Sequence, residues 1–479
     1  MRYDCIIIGG GVVGCATAYA LAHYRVKTLL LEAQNDVAMG TSRANSAIVH
    51  AGYDPEPGSV MARTNVRGNA LMEELCRRLS VRFERIGSLV VGFSEADMAQ
   101  LQRLYDRGVR NGVPGQRILN AREVHEMEPA LADGICGALY APSAGIVDPW
   151  GLAIALAQTA VTNGVEVRTE APVTAVSRDV QGFTVTAGGA RYETRTVVNA
   201  AGVYADRVHR MLGQTDFSLY PDSGAYYIMD KSQGSLVSHV IFQCPTEKGK
   251  GVLVSPTVHG NLIVGPDAVR RGDRDDVSAT AESLAYVRRM AALSVPGINY
   301  RESIRNFAGV RARGTKDFII GPSPIDPRFI NLAGIQSPGL TASPAIAEEA
   351  VACLRMAGLR LEPNGDFRDG RTHIEFRRLP REEQKRLIER EPAYGRVICR
   401  CETITEGEIL AALRAPLPPR TVDGVKRRCG SGMGRCQGGF CGPRIHEILA
   451  REWGVPMEEI EKDRTGSYIL TGETKEERA

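Results

Sequence analysis

The sequence predicts an α/β fold in three parts: a parallel βαβ core, an antiparallel sheet inserted into it, and a small C-terminal domain. Three observations predict this organisation. A glycine-rich turn joins a strand to a helix near the N-terminus, β-rich segments follow one another between residues 224 and 266, and five cysteines fall within residues 399–441. A chain of 479 residues is too long for one ordinary hydrophobic core, so two or three domains are expected.

The N-terminal segment has the element order of a nucleotide-binding βαβ unit. Asp4–Ile8 has the composition of a buried strand and Cys15–Tyr24 that of a helix. Val26–Leu31 has the composition of a second strand, and Glu32 follows it. An acid at this point is placed to accept hydrogen bonds from ribose hydroxyls. Because strand, helix, second strand and acid occur in this order, we expect a Rossmann-like nucleotide-binding domain rather than a plain structural turn.

The turn between the first strand and the helix has the spacing G-x-G-x-x-G. Gly9 permits the tight turn, Gly11 lets the backbone approach a pyrophosphate, and Gly14 lets the helix pack on the strand. The N-terminus of the helix then faces the phosphates.

Later segments extend this core and then depart from it. Residues 165–176 (VEVRTEAPVTAV) predict one strand, residues 153–162 predict a helix, and Asn120 with Glu123 predicts a capping box. The segments GAYYIMD, HVIFQ, GVLVSP and LIVGP are rich in β-forming residues, with VHGN as a hairpin turn. They predict an antiparallel sheet inserted into the nucleotide-binding fold.

The composition excludes several classes of protein. With 59 basic and 56 acidic residues, the net charge of +3 is too even for a nucleic-acid partner. No apolar run is long enough for a transmembrane helix, and glycines interrupt the apolar N-terminal stretch, unlike a signal peptide. The first six of the eleven cysteines are scattered, which indicates a reducing, cytoplasmic setting. Attachment to a membrane through a partner stays open, without direct insertion.

The composition changes again towards the C-terminus. Residues 360–395 are charged and loop-like, which predicts a linker. Residues 396–465 predict a small cysteine-bearing domain, and residues 466–479 a solvated tail.

Several motifs in residues 1–355 resemble those of the FAD-dependent oxidoreductases of the D-amino-acid oxidase superfamily. They are GGGVVG, TSRANSAIVHAGY, GIVDP, VVNAAGVYAD, FAGVRAR and IQSPGLTASPAIA. The resemblance implies FAD rather than NAD, since NAD enzymes do not usually return to the cofactor with a late glycine-rich loop. It also implies an FAD-binding domain made of residues 1–85, 145–215 and 320–359. The substrate domain would comprise residues 86–144 and 216–319.

The same resemblance implies a set of cofactor contacts. The late loop would face the flavin pyrimidine oxygens, the strand at Val173 the adenine, and Ala201 with its neighbours the pyrophosphate. The cofactor-binding residues expected on this basis are Gly9, Gly11, Gly14, Glu32, Thr41, Ser42, Ser46, Val173, Ala201, Gly202, Gly334, Gly339, Leu340 and Thr341.

Two branches of the superfamily match the motifs. The anaerobic-type glycerol-3-phosphate dehydrogenases carry a similar CxC…GMGxCQGxxC domain, whereas the L-2-hydroxyglutarate oxidases and dehydrogenases share the segments at residues 45–59 and 308–312. The chain departs from the first branch at Tyr53 and Asp54, where those enzymes generally carry an arginine, and at Ser223, where they carry a lysine. Both differences remove phosphate-binding charge.

The resemblance also identifies candidate catalytic residues. His50 would lie beside the flavin ring and take the proton of a substrate hydroxyl, with a buried structural histidine as the alternative. Arg311 matches the arginine that binds the substrate carboxylate or phosphate, and a guanidinium suits either anion. The candidate substrate-binding residues are Tyr53, Tyr226, Arg313 and Lys316, although tyrosines in a sheet commonly pack in a core and both cations commonly lie on a surface.

The C-terminal cysteines form a Cys-x-Cys pair and a Cys-x4-Cys pair. Two residues apart on an extended segment, Cys399 and Cys401 point to one face, and Cys436 and Cys441 on a glycine-rich loop close the site. Four thiolates hold either structural zinc or an iron–sulfur cluster, and zinc sites favour Cys-x2-Cys pairs.

Residues 396–445 resemble the bacterioferritin-associated-ferredoxin type of [2Fe-2S] domain, in which these four cysteines match the ligands. Cys429 would be a bystander. The basic residues Lys426, Arg427, Arg428 and Arg435 would offset the cluster's negative charge, with a solvated basic turn as the alternative for the first three.

These expectations combine into an FAD-dependent dehydrogenase with a C-terminal iron–sulfur domain that oxidises a small anionic hydroxy compound. The leading substrate is sn-glycerol 3-phosphate, giving dihydroxyacetone phosphate, with electrons passed to the [2Fe-2S] cluster and a flavoprotein or quinone-linked partner subunit. An L-2-hydroxyglutarate or other 2-hydroxy-acid dehydrogenase or oxidase is the alternative, and an amine substrate comes third. An electron-transfer subunit of a multi-subunit flavoprotein complex is the alternative of another class.

Overall fold

The computed structural model describes residues 2–214, 216–245 and 251–472; residues 473–479 of the expected tail lie outside this range. The strands are β1 Arg2–Ile8, β2 Thr28–Leu31, β3 Ile48–Val49, β4 Phe83–Glu84, β5 Ser88–Gly92, β6 Arg117–Asn120, β7 Gly137–Ala141, β8 Gly145–Val147, β9 Glu166–Arg168, β10 Val173–Asp179, β11 Gly182–Ala187, β12 Ala190–Asn199, β13 Tyr220–Met229, β14 Val240–Gln243, β15 Leu253–Pro256, β16 Leu262–Gly265, β17 Val269–Arg270, β18 Ser303–Arg313, β19 Ile319–Pro322, β20 Phe329–Ala333, β21 Val397–Cys399 and β22 Ile404–Thr405. The helices are α1 Val12–Ala22, α2 Val60–Arg78, α3 Glu95–Asn111, α4 Ala121–Met127, α5 Pro149–Thr162, α6 Ala205–Arg210, α7 Ala281–Ala291, α8 Gly339–Met356, α9 Arg381–Arg390, α10 Glu406–Arg414, α11 Val422–Cys429 and α12 Cys441–Trp453.

The first sheet contains the N-terminal βαβ unit. Its strand order is β10-β11-β12-β1-β2-β9, and β20 pairs with the C-terminal half of β12 and with β19. The strands β20, β12, β1, β2 and β9 run parallel, as crossover helices require. Helix α1 packs between this sheet and helices α5 and α8, with which it shares two apolar clusters. The α/β fold with a Rossmann-like domain is confirmed.

The β1–α1 turn needs glycine at two of its three motif positions for steric reasons. Gly9 has φ +108°, and a Cβ there would lie 2.4 Å from the carbonyl oxygen of Ala200. A Cβ on Gly14 would lie 1.9 Å from the Gly9 carbonyl oxygen, so helix and strand meet only without a side chain.

The prediction of one strand over residues 165–176 is wrong. The segment forms β9, which runs parallel to β2, and β10, which opens an antiparallel hairpin with β11. Between them Glu170 adopts φ +53° and Pro172 has no N–H to donate. The chain therefore turns there and passes from one edge of the sheet to the other.

The second sheet is the inserted antiparallel sheet that the sequence predicts. Its order is β17-β13-β16-β15-β14-β5-β7-β6, with β18 along the other side of β13. All its pairs are antiparallel except β14 with β5. The predicted hairpin at residues 258–261 joins β15 to β16, and the predicted capping box forms at Asn120 and Glu123.

The segment predicted as a charged, loop-like linker contains helix α9 and packs closely on the first domain. Phe367 stacks on His23 at 3.7 Å, the hydroxyl of Tyr19 donates to Asp369 at 2.7 Å, and Arg82 forms an ion pair with Glu375. The charges of α9 face solvent while Leu387 is buried, so its polar composition fits an amphipathic helix. None of the helices in the described ranges has the length and hydropathy needed to cross a bilayer.

The C-terminal domain folds around its own core and docks on the first domain through buried charges. Its helices α10, α11 and α12 enclose one apolar cluster. On the outer side of α11, Arg428 donates two hydrogen bonds to Asp36 at 2.8 and 2.9 Å, and Arg427 donates a third at 3.0 Å. Asp36 lies four residues after Glu32, so the turn that follows β2 also carries the C-terminal domain.

Substituting Asp36→Asn should loosen this docking, because it leaves the buried guanidinium of Arg428 without a counter-charge and that of Arg427 with Asp463 alone. Removing one partner of a buried ion pair costs about 3–5 kcal/mol. We expect a lower thermal unfolding midpoint and faster tryptic release of the C-terminal domain. The control Asp366→Asn, at a side chain that is 92% exposed, should change neither. An unchanged midpoint and cleavage rate in Asp36→Asn would contradict the role assigned to the pair.

The Asp36 pair also predicts a pH dependence. Burial by itself would raise the pKa of the Asp36 carboxyl, but Arg428 and Arg427 hold the pKa below its usual value. A lowered carboxyl pKa stabilises the folded state above the unfolded-state value, and the gain is lost as the pH falls through the folded-state value. Docking in the parent should therefore weaken in acid, below the usual aspartate range, while Asp36→Asn lacks this transition. The thermal unfolding midpoint of the parent and of Asp36→Asn, measured against pH, tests it.

Candidate functional site

A cavity of about 900 Å³ lies between the two sheets. The β1–α1 turn, the end of β2 and the start of β10 line it from the first sheet, and β13, β14 and β18 line it from the second. Ligands of open α/β sheets bind at the carboxyl ends of the strands, where this cavity opens. It is therefore the candidate active site.

One end of the cavity is built for a dinucleotide. The carboxylate of Glu32 accepts hydrogen bonds from the amides of Gly10 at 2.7 Å and Gln34 at 2.8 Å, which fixes its orientation. Burial raises the pKa of this carboxyl. The hydroxyl of Ser42 accepts from the amide of Val12 at the start of α1, at 2.9 Å. The carboxylate can accept hydrogen bonds from ribose hydroxyls, and the amides at the positive end of the helix can donate to a pyrophosphate.

The other end is formed by the glycine-rich loop before α8. Gly339 and Leu340 line the cavity at the helix N-terminus, and the first turn of α8 carries no acidic residue. The positive end of the helix dipole therefore faces the cavity, as the stabilisation of negative charge on a flavin pyrimidine requires.

The structure brings most of the expected cofactor residues to the cavity. Those that line it are Gly9, Gly11, Glu32, Thr41, Ser42, Ser46, Val173, Ala201, Gly202, Gly339 and Leu340. Gly14, Gly334 and Thr341 lie behind it. Gly334, with φ +67°, packs against Thr315, and Thr341 accepts a hydrogen bond from the amide of His50 at 2.9 Å. These three residues shape the elements that line the cavity instead of lining it themselves.

His50 lines the cavity beside the loop that precedes α8. Its Nε2 is 3.2 Å from the hydroxyl of Ser337, and its ring stacks on Phe242 with 5.7 Å between centroids. Its carbonyl accepts from the side-chain amides of Asn65 and Asn69 at 3.1 and 3.0 Å. The backbone is thus fixed on both sides and the ring faces the cavity.

Arg311, Arg313 and Lys316 all line the cavity. Arg311 and Arg313, two residues apart on β18, point to the same face. Arg311 Nη2 donates to the carbonyls of Ser223 and Asp267, both at 3.0 Å, and Arg313 Nε lies 2.8 Å from Asp222. The backbone bonds fix the Arg311 guanidinium, which gives the cavity a positively charged wall.

The two candidate tyrosines lie in different environments. Tyr226 lines the cavity, stacked on Phe307 at 4.9 Å; burial raises its pKa, against the opposing charge of Arg311. Tyr53 does not line the cavity. It is buried in the apolar core with Leu101 and Leu104, and burial raises its pKa. The expectation that Tyr53 contacts the substrate is corrected on this point, because its neighbours are the core of the second domain.

Sequence reasoning missed several residues that line the cavity, among them Ser337, Phe242, Arg43 and Arg464. Ser337 lies within the IQSPGL motif, which could have pointed to it, whereas Phe242 had only the β-rich pattern of its strand. Arg43 and Arg464 also line the cavity, and no motif marks Arg464.

The four expected ligand cysteines meet in two pairs. The Sγ atoms of Cys401 and Cys436 are 3.7 Å apart, and a hydrogen bond from Cys441 lowers the pKa of Cys399 to about 6. Among the described residues, no group of three or more His, Cys, Asp and Glu is arranged around a single metal ion. Paired thiols fit a two-iron cluster, in which each iron takes two protein ligands. Cys429 is turned to the carbonyl of Val425 at 3.3 Å, and burial raises its pKa to about 11.

The basic residues near the cysteines do not form a solvated turn. Lys426, Arg427 and Arg428 are buried, and Lys426 pairs with Asp423 at 3.1 Å. Arg427 and Arg428 are committed to Asp36, as described above. Arg435 differs from these three, since its side chain is 66% exposed and pairs with Asp230.

Comparison with known proteins gives the family. Residues 4–353 match the model of the FAD dependent oxidoreductases, and residues 397–451 match the BFD-like [2Fe-2S] binding domain. The chain belongs to the FAD-dependent oxidoreductases. Its cofactors are FAD and a [2Fe-2S] cluster, as the sequence predicted, and the cavity and the paired thiols fit them.

The relatives of this oxidoreductase include three that bear on its function. Glycerol 3-phosphate dehydrogenase of Caloramator mitchellensis is 46% identical over 477 residues, which is 99% of each chain. The structure of L-alpha-glycerophosphate oxidase from Mycoplasma pneumoniae with FAD bound aligns with a TM-score of 0.74 at 33% identity, over 78% of this chain and 100% of that one. L-2-hydroxyglutarate dehydrogenase of Salmonella houtenae is 33% identical over 58% of this chain and 68% of its own.

Iron and acid-labile sulfide analysis of the purified protein tests the cysteine assignment. Cys401→Ser should lose the cluster and its visible absorbance, because one iron then lacks a thiolate ligand. Cys429→Ser is the matched control and should keep both, since its thiol faces Val425. Equal cluster content in the two variants, or zinc in place of iron, would contradict the assignment.

Proposed function

We propose that the protein is an FAD-dependent dehydrogenase that oxidises sn-glycerol 3-phosphate to dihydroxyacetone phosphate. Electrons then pass to the [2Fe-2S] cluster and on to a partner acceptor. The observation that carries the proposal is the 46% identity to a glycerol 3-phosphate dehydrogenase over 99% of both chains, which includes the iron–sulfur domain. Because the similarity covers 99% of each chain, it includes both redox domains as well as the pocket.

His50 is the proposed general base. Its ring faces the cavity beside Ser337, and its backbone is fixed from both sides, so its position is set before substrate binds. A base held within hydrogen-bond reach of the substrate hydroxyl takes up the proton as the carbonyl forms. FAD supplies the acceptor for the hydrogen and electron pair that leave the carbon.

The cations of β18 and the loop after it are the proposed phosphate site. Arg311 presents a fixed guanidinium, Arg313 lies on the same face, and the exposed Lys316 adds a mobile ammonium. This group replaces the charge that Tyr53, Asp54 and Ser223 lack relative to other glycerol-3-phosphate dehydrogenases. Ser223 is buried and does not line the cavity, so a cation at that point is not needed here.

The electron exit is proposed at the exposed face of the cluster domain. The Cys401 side is exposed, and Phe440, next to Cys441, is 79% exposed. A redox partner that docks there takes electrons one at a time. We further propose that the protein works in the cytoplasm, with any attachment to a membrane made through this partner.

An L-2-hydroxyglutarate dehydrogenase is the second candidate. Its support is the 33% identity to such an enzyme together with Tyr53 and Asp54 in place of the arginine of the first branch. The guanidinium of Arg311 binds a carboxylate as readily as a phosphate. The similarity to this enzyme covers 58% of this chain.

Anaerobic titration of the FAD-loaded protein separates the two candidates. We expect glycerol 3-phosphate to bleach the flavin absorbance rapidly, because the cationic wall binds the phosphate and His50 takes the hydroxyl proton. L-2-hydroxyglutarate and the uncharged control glycerol should bleach it slowly or not at all. Bleaching by L-2-hydroxyglutarate alone would overturn the assignment in favour of the second candidate.

Arg311→Ala should raise the KM for glycerol 3-phosphate by about 30-fold or more, since truncating one member of a buried charge contact costs about 2–5 kcal/mol. Arg311→Lys should recover part of the loss. The control Arg301→Ala, at an exposed arginine just before β18, should leave the KM unchanged. FAD content and unfolding midpoint of each variant show that the fold is kept. An unaltered KM in Arg311→Ala would contradict the phosphate site, and a parent flavin that no substrate reduces would favour an electron-transfer subunit that takes electrons from a partner.

A further inference from the structure

The loop that follows the C-terminal domain returns to the rim of the FAD cavity. Asn35 Nδ2 donates to Glu461 Oε2 at 3.0 Å and to the carbonyl of Asp463 at 2.8 Å. On the other side, the hydroxyl of Thr465 donates to Glu170 at 3.2 Å. Asn35 belongs to the turn after β2 and Glu170 to the turn before β10, and both turns line the nucleotide end of the cavity. Residues 461–468, here called the return loop, therefore span that end.

Arg464 of the return loop lines the cavity itself. Its side chain is half-buried, and within residues 2–214, 216–245 and 251–472 it makes no hydrogen bond or ion pair. Its neighbours in the same place are paired: Asp463 binds Arg43 on one side and Arg427, at 2.7 Å, on the other. This guanidinium has lost part of its hydration and has gained no acceptor in exchange, so a ligand that supplies an acceptor would complete its hydrogen bonding.

The positive charges of Arg464 and its neighbour Arg43 favour binding of an anion. Arg43 lines the same part of the cavity, next to Ser42 at the start of α1. Burial lowers the pKa of Arg43; Asp463 opposes this, while the nearby charge of Arg464 adds to it. The carboxylates of Asp463 and Asp36 are shared among Arg43, Arg427 and Arg428, so the Arg464 charge is left over. The positive end of α1 and Arg464 line the same cavity, and a guanidinium can bind a phosphate there with two parallel hydrogen bonds.

We propose that Arg464 is an FAD-binding residue contributed by the C-terminal domain, and that its guanidinium contacts the FAD diphosphate. Arg464 lies outside both matched ranges, residues 4–353 and 397–451, so the family motifs do not assign it. FAD and the iron–sulfur domain then hold each other in place. Because binding at one site stabilises the arrangement of the other, loss of FAD loosens the return loop, and loss of the return-loop contact weakens FAD binding.

The test compares full-length holoprotein of the parent with Arg464→Ala, Arg464→Lys and the control Arg444→Ala. Arg444 is an exposed arginine of α12, away from the cavity. Flavin release on dilution and rebinding of FAD are followed by flavin fluorescence. We expect Arg464→Ala to bind FAD about 10- to 100-fold more weakly, as the loss of one charged phosphate contact implies, with Arg464→Lys between it and the parent. Arg444→Ala should match the parent.

Riboflavin, which lacks the diphosphate, provides the decisive comparison. If Arg464 acts on the diphosphate, riboflavin affinity is equal in parent and Arg464→Ala. Equal weakening of FAD and riboflavin would show a general distortion and overturn the proposal, as would an FAD affinity within twofold of the parent. Iron content and unfolding midpoint report folding of the variants independently of flavin and substrate.

A second measurement needs no variant. Trypsin cleaves after arginine, and the Arg464–Thr465 bond lies at the cavity. FAD should slow its cleavage in the parent, while cleavage at exposed arginines elsewhere is unchanged. Equal cleavage with and without FAD would contradict the contact. Both readouts are independent of the substrate, so they stand apart from the proposal for glycerol 3-phosphate.

Discussion

The buried contact between Asp36 and the arginine pair Arg427 and Arg428 is the constraint on which the two-domain arrangement depends. These side chains are almost completely removed from water, so each charge is stable only while the others are present. A buried ion pair of this kind adds little to stability over an apolar contact, but it tolerates one geometry only. Asp36 lies four residues after Glu32 in the sequence. The same turn therefore positions the nucleotide carboxylate and the iron–sulfur domain together.

A second set of contacts fixes the other side of the cluster domain. Glu402, which follows Cys401, binds Lys231 at 2.7 Å, and Arg435, which precedes Cys436, binds Asp230 at 2.9 Å. Asp230 and Lys231 directly follow β13, the strand that also carries Tyr226. The cluster loops are thus attached at the end of β13 in the second sheet, while α11 is attached to the turn that follows β2 in the first sheet. A flavin accepts two electrons at once and a [2Fe-2S] cluster takes one, so a fixed placement of the cluster suits the division of the pair.

The sequence predicted what local chemistry determines and missed what distant contacts determine. Gly9, Gly14 and Glu32 were predictable because their functions follow from spacing within one βαβ unit. The capping box at Asn120 is equally local. By contrast, Arg427 and Arg428 look like a solvated basic turn until Asp36, almost four hundred residues away, is brought to them. Tyr53 shows the same limit: its motif neighbours His50 at the cavity, but strand and helix packing turns it into the core. The predicted strand over residues 165–176 is interrupted at Glu170 because its two halves pair at opposite edges of the first sheet, which the local sequence does not specify.

The origin of the cationic wall follows from the ladder between β13 and β18. In this register Asp222 stands opposite Arg311 and Ser223 opposite Val310. Side chains alternate between the two faces along a strand, so Ser223 lies on the face opposite to that of Arg311 and Arg313, away from the cavity. An anionic substrate responds to the position of the charge and its donors, not to the strand that carries them. In this register the positive charge of Arg313 and Lys316 lies at the cavity, whereas a cation at position 223 would face away from it. For this reason the missing lysine and arginine weigh less against a phosphate substrate than the sequence motifs alone suggest.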